Sequence, residues 1–161
     1  MTWQTDADAK IRGREMMKKA MMAAAFAALA GPAISAPLCD DMGFAGLLAK
    51  CNRGETINLL LASGQPLGED VQLQSGAYYK LQITADGSAE LAVEGPSFFR
   101  AIWMNEIVIN KIEIRPMAID SIEFDKAGTV ELSFIAIKPG NHVLRIPGST
   151  GDSQSVTISI Q

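Results

Sequence analysis

The sequence predicts an all-β domain, a sandwich or barrel, behind an export leader. Three observations predict it. Val130, Leu132, Phe134 and Ala136 alternate with Thr129, Glu131 and Ser133, the period of two of a half-buried strand. Val156, Ile158 and Ile160 alternate with Ser155, Thr157 and Ser159 in the same way. Turn chemistry separates such runs throughout, at Ser75-Gly76, Asp86-Gly87, Ala127-Gly128 and Lys138-Pro139-Gly140-Asn141. About eight short strands at this spacing, with one minor helix, describe an all-β fold.

The chain begins with a segment that reads as a signal peptide, residues 1–35. Lys18 and Lys19 precede the apolar run Ala20–Ala30, and Gly31-Pro32 ends it before small residues. Cleavage after Ser35 leaves Ala36-Pro37 as the new N-terminus. The run is shorter than the roughly 20 residues a membrane-spanning helix needs. Arg12-Gly13-Arg14 is not a twin arginine, and Ala36-Pro37-Leu38 ahead of Cys39 is a poor lipoprotein signal. Residues 1–15 are polar, and Met16-Met17-Lys18-Lys19 forms an ordinary leader start, so translation is expected to begin at Met16 or Met17. A periplasmic or secreted location follows.

Residues 36–54 are expected to form a capping segment. Phe44, Leu47, Leu48 and Cys51 have helical spacing, Asp40 or Asp41 can cap the start, and Asn52 and Gly54 can end it. Cys39 and Cys51 are the only cysteines, and in an oxidising compartment an even pair forms a disulfide. An unbroken helix over 41–51 would hold its ends about 15 Å apart, beyond the roughly 7 Å a disulfide spans. Either the helix is short, which Gly43 and Gly46 allow, or the two cysteines do not pair with each other.

Residues 55–161 form the β domain. Ile57, Leu59 and Leu61 face inward on a first strand, and Val71–Gln74 forms a short second one. Tyr79, Leu81, Ile83 and Ala85 share the inner face of a third strand. Asp86-Gly87 then signals a hairpin to a strand over 89–93. Phe98, Phe99, Ile102, Trp103 and Met104 form the densest apolar run outside the leader, a helical turn or a plug. Residues 107–114 are strand-like, with a slip at Asn110-Lys111 that predicts a bulge or kink. After Ile119, Ile122 and Phe124 comes the strand 129–136, a turn at Lys138-Pro139-Gly140 and a return along His142, Leu144 and Ile146.

Over residues 36–161, nine Lys and Arg stand against fifteen Asp and Glu, a balance of −6. The cations are scattered, which argues against nucleic acid or anionic lipid as partner, because both need clustered positive charge. A Ser-His-Asp triad would have to use His142, the chain's one histidine, and nothing near it in sequence supports that. Glu123 and Asp125 share a strand face near Asp120 without a nucleophile, and read as a solvated face. No enzymatic constellation emerges.

The stretch Ala127-Gly128-Thr129-Val130, Phe134, Lys138-Pro139-Gly140, His142-Val143-Leu144 and Pro147-Gly148 resembles the C-terminal half of cupredoxin-like domains. The resemblance implies a cupredoxin-like Greek-key β-sandwich with a short N-terminal helix. Blue-copper members bind through a thiolate, imidazoles and usually a thioether around the loop before the last strand. Here Ile146–Asp152 holds no Cys, His or Met. The scaffold is expected without type 1 copper and with no cofactor. The alternative is a periplasmic protein that handles copper through His142, Met104 and Met117, or an accessory subunit of a periplasmic redox complex. The expected function is a non-enzymatic interaction module whose partner is another periplasmic protein. Phe98, Phe99, Arg100, Trp103 and Met104 are its expected contact surface, with Trp, Arg and Met the usual anchors.

Overall fold

The computed structural model describes residues 38, 39 and 41–161. The leader, its cleavage site, the start at Met16 or Met17 and the cap at Asp40 lie outside the described residues. Among the described residues, ten strands form two five-stranded sheets. They are β1 Arg53–Leu61, β2 Val71–Leu73, β3 Tyr78–Ala85, β4 Leu91–Glu94, β5 Ile102–Ile109, β6 Ile112–Ile114, β7 Ser121–Phe124, β8 Gly128–Ala136, β9 Gly140–Arg145 and β10 Ser155–Ile160. One sheet runs β1-β3-β8-β5-β6 and the other β2-β10-β9-β4-β7. The β1–β3 and β10–β2 pairs are parallel.

The inner faces follow from alternation. Ile57, Leu59 and Leu61 on β1, Leu81 and Ile83 on β3, and Val130, Leu132 and Phe134 on β8 are buried against Leu144, Val156 and Ile158 of the other sheet. Phe134 lies at the centre, with ring centroids 5.4 Å from Phe98 and 6.0 Å from Tyr79. Burying such a side chain contributes about 1.5–3 kcal/mol.

Two turns are placed differently from expectation. Asp86-Gly87 and Lys138-Pro139-Gly140 each follow a strand of the first sheet, β3 and β8, and lead into a strand of the second, β4 and β9. They are crossovers between layers rather than hairpins within one. Both segments have the backbone chemistry of turns, but strands that leave them bury their apolar faces from opposite sides of the core.

The slip at Asn110-Lys111 is a full reversal. Ile109 pairs with Ile112, and Asn110 and Lys111 have φ of 49° and 67°. This is the two-residue turn whose twist matches the strands it joins. The bulge lies upstream, where β5 shifts register against β8 between Met104 and Glu106. The Asn105 side chain there donates to Ser133 Oγ at 3.1 Å.

The capping segment is not an amphipathic α-helix. It consists of 3-10 turns at Gly43–Leu48 and Lys50–Asn52, and the first is broken at Gly46 (φ 55°, ψ −138°). Phe44, Leu47 and Leu48 are exposed rather than packed on the core. The break brings the Cys39 and Cys51 Cα atoms within 5.8 Å, and the two form a disulfide. Asp41 Oδ1 accepts the Gly43 N–H.

Candidate functional site

Among the described residues, three places can host chemistry or binding, and a fourth is structural. The first is the end of the sandwich around β9. His142 is buried at Ile158 of β10, and its Nε2 lies 3.2 Å from the Lys138 carbonyl. A carbonyl only accepts, so this bond places the proton on Nε2. Met104 sits on β5 opposite Phe134 and packs against the core. Met117 is exposed in the connection from β6 to β7. The three expected copper ligands thus occupy three separate elements.

The donor set does not fit a type 1 copper centre. That centre needs a thiolate and two imidazoles. Both cysteines of the chain are joined to each other, and one histidine is present. Among the described residues, Glu90, Glu123 and Asp125 bring their carboxylates within 4.8 Å of one another, all exposed. Glu123 and Asp125 were legible as a pair, and the β4–β7 pairing adds Glu90 from the stretch just before β4.

The second place is the segment expected as a contact surface. Pro96–Phe99 forms a single helical turn, α1, and Ile102 opens β5. Phe98 and Phe99 are buried core, so the surface does not include them. The turn rolls both rings inward, where Phe98 meets Phe134 edge to face. Arg100 is exposed, Met104 is half-buried, and Trp103 is 48% exposed. Trp103 lies across from Ile135, which lies across from Tyr78, which lies across from Arg53. The Arg53 guanidinium sits 4.9 Å from the centroid of the Tyr78 ring. The outer face of the first sheet therefore carries a row running from Arg53 to Trp103. Ile137, 48% exposed, follows the end of β8, and its N–H bonds the Ala101 carbonyl.

The third place went unseen in the sequence. A cleft of about 660 Å³ opens between β1 and β2, the edge strands of the two sheets. Leu38, Ile57, Val71, Leu73 and Tyr79 contribute its apolar surface, and Glu55, Glu69 and Asp70 its charges. Among the described residues no Lys or Arg lines it, and these three carboxylates give it a negative field. Gly54 shapes one wall, since a Cβ there would lie 2.1 Å from the Tyr79 ring. Tyr79 Oη in turn accepts the Gln74 N–H at 2.8 Å. The Arg53-Gly54 start of β1, where the register against β3 shifts, was the available signal.

The fourth place is Asn52, also read in the sequence only as a terminator. It is fully buried. Its Oδ1 accepts the Leu38 N–H at 3.0 Å, and its Nδ2 donates to the Leu47 and Gly76 carbonyls, each at 2.9 Å. This is a structural joint, with every contact made to backbone.

No family model matches the chain, and no curated protein matches it. Solved structures do. A laccase-like multicopper oxidase from Ochrobactrum sp. superposes with a TM-score of 0.51 at 8% identity, over 70% of this chain and 32% of that one. A multicopper oxidase from Campylobacter jejuni gives 0.45 at 6% identity, over 66% and 30%. The blue copper oxidase of Nitrosomonas europaea gives 0.44 at 12% identity, over 57% and 30%. The chain spans about a third of the length of these oxidases. The likeness is one of fold: the chain is an all-β, cupredoxin-like sandwich with short helical turns.

Proposed function

We propose that this chain is an exported, non-enzymatic interaction module built on a cupredoxin-like sandwich, without type 1 copper and without a resident cofactor. The observation that carries this reading is the half-exposed Trp103 on the outer face of β5, while its sequence neighbours Phe98 and Phe99 are core. A large aromatic at the exposed end of a row whose inner members Ile135 and Tyr78 are buried, with Ile137 also exposed, is the residue pattern of a binding hot spot. The donor chemistry supports the other half of the reading, because a disulfide takes up the only thiols of the chain. The leader-like start supports export, and no helix among the described residues is long and apolar enough to cross a membrane.

Capture of the partner from periplasmic extract tests this. The wild type should retain a specific protein, and Trp103→Ala should lose it while keeping its thermal stability. Loss of the fold in Trp103→Ala, or unchanged capture, sinks the assignment. Addition of copper should produce no intense visible absorption, and a blue product would overturn the cofactor reading.

A further inference from the structure

The first sheet ends in β1 on one side and in β6 on the other. Ile114 pairs with Ile107 and Ile112 with Ile109, so all four point to the core side of the sheet. Ile107 is buried, but Ile112 and Ile114 are 64% and 44% exposed. The opposite sheet does not reach under this margin, and an apolar shelf remains in water.

Among the described residues, the outer backbone of the margin is equally unpaired. The two-residue turn makes Ile109 and Ile112 a hydrogen-bonded pair. Bonded and non-bonded pairs alternate along an antiparallel ladder, so Glu113 turns its N–H and C=O outward. Arg115 follows the strand directly, and its guanidinium is ion-paired with Glu106 and Glu113 of its own chain. Its neighbour Pro116 favours an extended conformation at Arg115. Glu113 thus offers a donor and an acceptor along the edge, and extending the strand by Arg115 adds a second pair, with opposite charges on the two side chains.

We propose that β6 is a homodimerisation edge, pairing antiparallel with β6 of a second copy about a two-fold axis at Ile114. In this register Glu113 lies opposite Arg115 of the second copy, and Arg115 opposite its Glu113. The two Ile114 side chains meet beneath them and extend the shelf from both sides. Centring the axis on Glu113 sets Glu against Glu and Lys111 against Arg115, and like charges directly opposite destabilise a pair. Placing Glu113 opposite Lys111 is closed, because Lys111 sits in the turn at φ 67°. Charged residues on a short edge commonly prevent pairing. Here their alternating sign prevents the wrong registers and favours one.

Analytical ultracentrifugation of the purified chain, disulfide intact, tests the inference across micromolar to millimolar concentrations. Wild type should show a monomer–dimer equilibrium. Glu113→Arg and Arg115→Glu should each self-associate about tenfold more weakly or less, since each places two like charges opposite. A mixture of the two variants should regain the dimer, because every cross-strand pair is again opposite in charge. Circular dichroism and thermal unfolding of each variant confirm that it is folded. A wild type that stays monomeric, a dimer indifferent to both substitutions, or a mixture that fails to recover would overturn the proposal.

Discussion

Asn52 donates to the Gly76 carbonyl across 2.9 Å, and this bond ties the disulfide-closed capping segment to the turn before β3. The same amide bonds Leu38 and Leu47, so three backbone groups depend on one buried side chain. Asn52→Ala leaves an N–H and two carbonyls without a partner, and should lower stability by about 2–3 kcal/mol in urea denaturation. Asn52→Asp is close in shape but sets a carboxylate against two carbonyls. At neutral pH it should be at least as damaging.

Phe134 and Trp103 separate core from contact surface. Phe134 is fully buried between Tyr79 and Phe98. Phe134→Ala should cost about 3–5 kcal/mol. Trp103→Ala should cost about 1 kcal/mol or less, because half of its surface is already solvated. Thermal unfolding of the pair checks both values, and a large loss at Trp103 would return it to the core.

Asp86 provides a pH-dependent latch on the crossover from β3 to β4. Ser63 N–H bonds Ser88 Oγ at 2.7 Å, and Asp86 Oδ1 accepts the Ser88 N–H at 2.8 Å. Hydrogen bonds from the Ser88 side chain and backbone hold the Asp86 carboxyl below the ordinary aspartate value of 3.8. A folded-state value below the unfolded one means the ionised form stabilises. That contribution is present above pH 3.8 and disappears as pH falls through the lowered folded value. An NMR titration should find Asp86 ionising below 3.8, and Ser88→Ala should move it back toward 3.8.

Lys111 occupies a left-handed conformation at φ 67°. A side chain there costs about 1 kcal/mol relative to glycine, partly offset by the flexibility glycine adds to the unfolded chain. Lys111→Gly should therefore raise stability by about 0.5–1 kcal/mol. It should leave the Ile109–Ile112 pairing intact in backbone NMR, and a fall in stability would show that the lysine side chain itself contributes.

The inward residues of β1, β3, β8, β9 and β10 were all legible in the sequence, because alternation is a local consequence of the pleat. His142 was likewise correctly placed on the inner face, in phase with Leu144 and Ile146. The capping segment shows the limit of that logic. Its helical apolar spacing coincides with a break at Gly46, and the disulfide decides the path instead.

Turn chemistry and strand alternation are properties of a few neighbouring residues, and the amino-acid order by itself determined both. It also determined that a blue-copper thiolate competes with a disulfide for the same two sulfurs. Which sheet each strand joins was decided only in three dimensions. A glycine or proline permits the chain to reverse, but the apolar face behind it selects the layer. Asp86-Gly87 and Lys138-Pro139-Gly140 therefore became crossovers between sheets. The cleft beside Gly54 and the exposed isoleucines of β6 have the same origin. They lie where two sheets of different strand order fail to cover one another, a condition no single strand encodes.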